Sequence, residues 1–130
     1  MSPRIHHLGI VVGSIKAYLK NSYFNQIISE VYDPIQDSNL VLLKTENDFF
    51  IELIEPLSDK ATTYRYLMKN GVNYHHICYE VSDMKELEAI AEVKKTKVFW
   101  GPEPAKLFND KLVAFGYSIN KEIVEFLITG

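Results

Sequence analysis

Four residues of metal-ligand type recur at matching places in this chain: His7, Glu52, His76 and Glu125. The only histidines occur as two adjacent pairs, His6-His7 and His75-His76, and each pair opens an apolar, β-branched run. Glu52 stands inside Phe49-Phe50-Ile51-Glu52-Leu53-Ile54, and Glu125 inside Ile123-Val124-Glu125-Phe126-Leu127-Ile128. A carboxylate in the middle of an apolar strand is costly to desolvate unless it is paired, hydrogen-bonded or bound to a cation. Arg4 and Arg65 are the only guanidinium groups in the sequence, so a metal ion is the simpler compensation. Two imidazole nitrogens and two carboxylate oxygens suit a divalent Ni, Co, Mn, Fe or Zn ion, one per chain, with positions left for water or substrate. Taken singly, a histidine at a strand start is more often a polar residue at the edge of a core, and a glutamate in a strand more often faces water. The repetition of all four favours the metal. Neighbours on a strand point to opposite faces, so only one histidine of each pair can face the metal, and His6 and His75 are expected to support the ligands or to be structural.

The elements that would position these residues also come in two copies. An offset of 69 residues lays His7-Leu8-Gly9-Ile10-Val11-Val12 on His76-Ile77-Cys78-Tyr79-Glu80-Val81, and Ser14 on Asp83. Ser14 and Asp83 are helix N-caps, and Glu86 completes a capping box. Helical spacing predicts a first helix over Ile15 to Ile28 and a second over Met84 to Lys95. Strand-like segments follow each: Val31 to Ile35, Leu40 to Lys44 and Phe49 to Ile54, then Lys97 to Trp100, Leu112 to Tyr117 and Ile123 to Ile128. Each half is a β-α-β-β-β module, about 1–57 and 74–130, and the link carries a short helix near Tyr64 to Lys69 that ends at Gly71. The predicted architecture is a single α+β domain in which two modules pair into one cupped mixed sheet. Two copies are too few for a solenoid.

Composition narrows the function. The chain has 130 residues, 47% hydrophobic and 24% charged, with a formal net charge of −3. Without a basic field it is not expected to bind nucleic acid. Its longest aliphatic run, Leu40 to Leu43, is far short of the roughly 18 apolar residues of a membrane span. The N-terminus shows no apolar signal core, and a cytoplasmic location is expected. The single cysteine, Cys78, is expected to be a small buried apolar residue and not a nucleophile.

The blocks His6 to Val12, Ile51-Glu52-Leu53-Ile54-Glu55-Pro56-Leu57, His75 to Val81 and Val124-Glu125-Phe126 resemble the vicinal oxygen chelate superfamily, and within it the methylmalonyl-CoA epimerase branch. The resemblance implies a cupped sheet around a divalent metal held by His7, Glu52, His76 and Glu125. It also implies chelation of two neighbouring oxygens of a small-molecule substrate and a homodimer. A carboxylate base would remove a carbon-bound proton to give a metal-stabilised enolate, with Glu125 the favoured base and Glu52 the alternative. The runner-up is a glyoxalase I-type lyase acting on a thiol adduct, and a non-catalytic binding or resistance protein of the same fold is a third reading. Two features depart from the epimerase pattern. Leu40-Val41-Leu42 carries no carboxylate where some epimerases place one, and Phe115-Gly116-Tyr117-Ser118 replaces the usual Phe-Leu-His-Pro.

Overall fold

Strand alternation sorts this chain into a face for helices and a face for chemistry, and it does so twice. The computed structural model describes residues 3–130. They divide into two units: His7–His75, and the residues up to His6 together with His76–Gly130. The first holds most of β1 (Arg4–Val11), then α1 (Ile15–Leu19), β2 (Ile27–Asp33), β3 (Ser38–Lys44), β4 (Phe50–Pro56) and α2 (Tyr64–Asn70). The second holds most of β5 (Asn73–Val81), then α3 (Met84–Lys94), β6 (Lys97–Ala105), a 3-10 turn at Lys106–Phe108, β7 (Lys111–Tyr117) and β8 (Ile123–Ile128). The strand order is β2-β3-β4-β1 in the first unit and β5-β8-β7-β6 in the second. In each, the first and last strands of the module run parallel and the other pairs are antiparallel. That is the β-α-β-β-β repeat the sequence predicts. The linking segment and its helix fall within the first unit, where Gly71 ends α2 at φ 68.

Helices α1 and α3 each cover one face of the strands of their own unit. Residues Ile10, Val12, Val41, Leu43, Ile51 and Leu53 form the core of the first unit, with Ile15, Tyr18 and Leu19 of the α1 side packed against them. In the second unit Val81, Ala114, Val124, Phe126 and Ile128 pack with Leu87 of α3. Both predicted caps are present. The Ser14 hydroxyl accepts from the Ala17 amide at 3.1 Å, and the Asp83 carboxylate accepts from the Glu86 amide at 2.9 Å. The Glu86 side chain in turn accepts from the amide of Ser82.

Two elements differ from expectation. The first helix ends at Leu19 instead of continuing to Ile28. Ser22 diverts the chain, its hydroxyl accepting from the Phe24 amide and donating to the Phe24 carbonyl. The β-branched Ile27 and Ile28 then join β2, where stiff χ1 angles suit a pleated surface better than a helix. Strand β6 does not stop at Trp100 but runs to Ala105, with register shifts between Val98 and Trp100 and again before Glu103. It lies at the end of its strand order, where Pro102 and Pro104 need not donate to a neighbour. Gly101 makes this path possible: at φ +88 a Cβ there would lie 2.5 Å from the Val113 carbonyl oxygen.

Phe126 is 2% exposed beneath α3, whereas Val93 is 75% exposed. Truncating Phe126 to Ala should therefore cost about 3–5 kcal/mol, and Val93→Ala should stay within about 0.5 kcal/mol of the parent. Urea denaturation measures both, and comparable losses at the two positions would contradict this packing.

Candidate metal centre

The face opposite the helices carries the candidate ligands. In the first unit β1 and β4 are parallel, with Gly9 in register with Glu52. His7 lies two residues from Gly9, so it shares the Glu52 face. The side chains meet, His7 Nε2 standing 3.3 Å from Glu52 Oε1, with 0% and 8% of their side-chain surfaces exposed. The second unit repeats the arrangement. Cys78 is in register with Glu125. His76 lies two residues before Cys78, and its Nε2 is 3.0 Å from Glu125 Oε1, with both side chains buried. At such a distance an imidazole N–H can donate to the carboxylate, or the two groups can share a metal cation. The donor types in each unit, an imidazole and a carboxylate buried in apolar surroundings, fit a divalent metal.

The other histidines singled out by the sequence have partners of their own. The His6 ring meets Phe108 edge-on at 5.1 Å, and His75 meets Tyr66 edge-on at 5.0 Å. Arg4 pairs with Glu80 at 3.3 Å, and Arg65 is exposed on α2. Cys78 is fully buried, as expected of a small apolar residue. Glu55 lies on the helix side of β4. Its carboxylate accepts from the Ile15 amide at the start of α1, 3.0 Å, and from the Asn39 side-chain amide, 2.9 Å. It joins three elements, and nothing in its spacing announced that role.

The surroundings of the two His–Glu pairs differ. On β3, Leu42 stands in register with Glu52 and is buried, as is Leu40, so the strand beside Glu52 presents hydrocarbon. Glu125 has Phe115 in register on β7, and the His76 ring meets Phe115 edge-on at 5.2 Å. Phe115 is only half-buried. Sequence reading missed this aromatic neighbour, although the alternation Val113-Phe115-Tyr117 contained the signal.

Residues 6–115 match the model of the glyoxalase/bleomycin resistance protein/dioxygenase superfamily. The chain belongs to this superfamily. A curated relative, the ethylmalonyl-CoA/methylmalonyl-CoA epimerase of Cereibacter sphaeroides, is 29% identical over 119 residues, 88% of each chain. A hypothetical protein from Bacillus halodurans superposes with TM-score 0.81 at 28% identity, over 100% of this chain and 96% of that one. A Streptomyces coelicolor methylmalonyl-CoA epimerase in complex with 2-nitronate-propionyl-CoA superposes with TM-score 0.82 at 21% identity, over 100% of this chain and 96% of that one. The fold is that of the vicinal oxygen chelate superfamily, as the paired modules predict. No helix among the described residues is long and apolar enough to cross a membrane.

Glu55 marks a boundary between the scaffold and the chemistry. Its replacement by Ala should lower stability by about 2 kcal/mol, since two hydrogen bonds to a charged group are lost, while metal content stays at the parental level. Thermal melting and elemental analysis decide it; loss of metal with unchanged melting would make Glu55 part of the site.

Proposed function

We propose that the protein is a divalent-metal-dependent enzyme of the epimerase type, which removes a proton from a carbon next to a carbonyl in a small-molecule substrate with neighbouring oxygens. The observation that carries this reading is the repeated buried His–Glu contact, His7 with Glu52 and His76 with Glu125. Superfamily membership and the epimerase relatives support it. In this reading the four residues together hold one metal ion. A divalent cation there would supply positive charge to the substrate oxygens, stabilising the oxyanion that develops as the neighbouring carbon loses its proton.

The chain's own residues divide the remaining work. Glu125 is the base: its flanking Phe115 is half-buried and leads to the exposed Tyr117, so a substrate has an approach from that side. Glu52 is hemmed by Leu42 and Ile54, both buried, and serves as a ligand. His7 and His76 present nitrogen lone pairs and hold their carboxylates in place. The apolar surroundings exclude water, which strengthens each of these electrostatic contacts. A homodimer and a cytoplasmic location complete the reading.

One observation favours a second activity. Inverting a stereocentre through a planar carbanion calls for proton-transfer groups on both sides of the carbon, and β3 offers Leu42 and Leu40 beside Glu52 instead of another carboxylate. A lyase of the glyoxalase I type, with a thiol adduct of a 2-oxoaldehyde as substrate, would need no such third carboxylate.

The purified protein should hold about one divalent ion per chain, and His76→Ala should lose it. Chelation should lower the melting temperature, and returning the metal should raise it with concentration, as for any ligand bound only by the native state. A stoichiometry unchanged by His76→Ala would refute the ligand set. For the chemistry, solvent deuterium should enter the substrate carbon, tried first with methylmalonyl-CoA and then with hemithioacetals. Glu125→Gln should slow that exchange about a hundredfold or more while leaving the fold intact. Inertness of the metal-loaded protein toward both, and toward a panel of 2-oxo and 2-hydroxy acids, would favour a binding protein.

A further inference from the structure

Four aromatic rings of the second unit form a surface that begins beside Glu125, and the proposed chemistry uses it only as an approach. Phe115 and Tyr117 lie two residues apart on β7 and so share a face, the one that carries Glu125 on β8. On the other side of β7, the shift of register in β6 turns two successive residues toward this same face. The Phe99 ring lies 4.8 Å from Tyr117 at an interplanar angle of 31°, and Trp100 lies 5.7 Å from Phe115 at 61°. Burial falls along the series: Glu125 is 4% exposed, Phe115 and Trp100 are half-buried, and Tyr117 and Phe99 are 49% and 50% exposed. The backbone holds this arrangement closely. A Cβ at Gly116 would lie 2.9 Å from the Lys97 carbonyl oxygen, and one at Gly101 2.5 Å from that of Val113. Four adjoining aromatic side chains that grade from a buried carboxylate to solvent constitute the kind of apolar patch that marks a binding surface.

We propose that these rings bind the body of the substrate, and that the substrate class is a carbonyl compound with neighbouring oxygens and an aryl group within a few bonds of the reacting carbon. The inference rests on the reading of Glu125 as the base. Neighbouring strands are about 4.8 Å apart, so Phe115 and Trp100 lie roughly one and two strand spacings from the Glu125 strand. A phenyl ring one or two bonds from the carbonyl spans that interval. The other planar group to consider, the adenine of a coenzyme A thioester, sits at the far end of a long flexible chain. Offset or edge-on stacking on Phe115 and Trp100 would orient the reacting carbon toward Glu125.

Trp100 is the only tryptophan, so its fluorescence reports on this surface alone. Phenylpyruvate and pyruvate share the neighbouring oxygens and differ by the ring. Phenylpyruvate should quench Trp100 and bind about tenfold tighter than pyruvate or better, both in metal-loaded and in chelated protein. Calorimetry on Phe99→Ala and, as a second variant, Tyr117→Ala should show that preference reduced to about threefold or less, with pyruvate affinity unchanged. Both side chains are about half exposed, and circular dichroism checks that the variants fold. Equal affinity for the two acids, binding of neither, or equal weakening of both by the variants would overturn the proposal. So would displacement of phenylpyruvate by coenzyme A that itself quenches Trp100, or emission that follows protein concentration instead of ligand, which would mark a contact between copies. A ring preference that survives while metal changes neither affinity would sink the metal reading alone. Metal tightening both acids with no ring preference would sink this one alone.

Discussion

A carboxylate held in an apolar strand against an imidazole is the constraint on which the rest of this structure depends. Burial removes the water that would solvate Glu52 and Glu125, and each stands about 3 Å from a histidine nitrogen. A carboxylate so placed needs a partner that offers it a proton or a positive charge. The fold meets that requirement by register. Parallel pairing of the first and last strands of each module sets Gly9 beside Glu52 and Cys78 beside Glu125. Each histidine is then two residues away on the same face. A slip of one residue in either pairing would turn the glutamate into the helix-covered core, so core packing and the site enforce the same register.

Much of this was legible in the sequence because the relevant signals have short periods. The paired histidines, the glutamates within apolar strands and the matching N-caps Ser14 and Asp83 repeat at nearly constant spacing, and strand alternation allows only one histidine of each pair on a given face. What escaped was set by tertiary context. The stretch from Asn21 to Ile28 keeps a helical apolar pattern, but β-branched residues and the Ser22 turn commit its end to β2, which pairs with β3. The extension of β6 through Gly101, Pro102 and Pro104 depends on its lying at the end of the strand order, a fact of topology that no local pattern carries. Glu55 likewise looks like any polar strand residue until α1 and Asn39 arrive on either side of it.

Repetition gives the two modules matching His–Glu pairs, and the surroundings of those pairs diverge. Leu42 closes the space next to Glu52, while Phe115 leaves a half-open approach next to Glu125. A base must reach a substrate proton, whereas a ligand need only face the metal. The asymmetry thus argues for Glu125 as the base on grounds independent of any relative.

The same asymmetry bears on the substrate. Relatives with this fold include epimerases of coenzyme A esters, and the shared scaffold explains how a metal and a base can be held in common. It does not explain the leucines of β3 or the aromatic rings of β6 and β7. A fold fixes strand register and therefore which positions face the chemistry; the side chains at those positions decide which molecule fits. Here hydrocarbon stands beside one carboxylate and an aromatic surface beside the other. In the proposed reading, discrimination at the second would come from stacking on Trp100 and Phe115, not from hydrogen bonds to a distant nucleotide. Because the rings lie on the opposite face from α3 and its core, they can vary without disturbing the register that holds His76 against Glu125. The register of the His–Glu pair and the aromatic surface can therefore change independently on this scaffold.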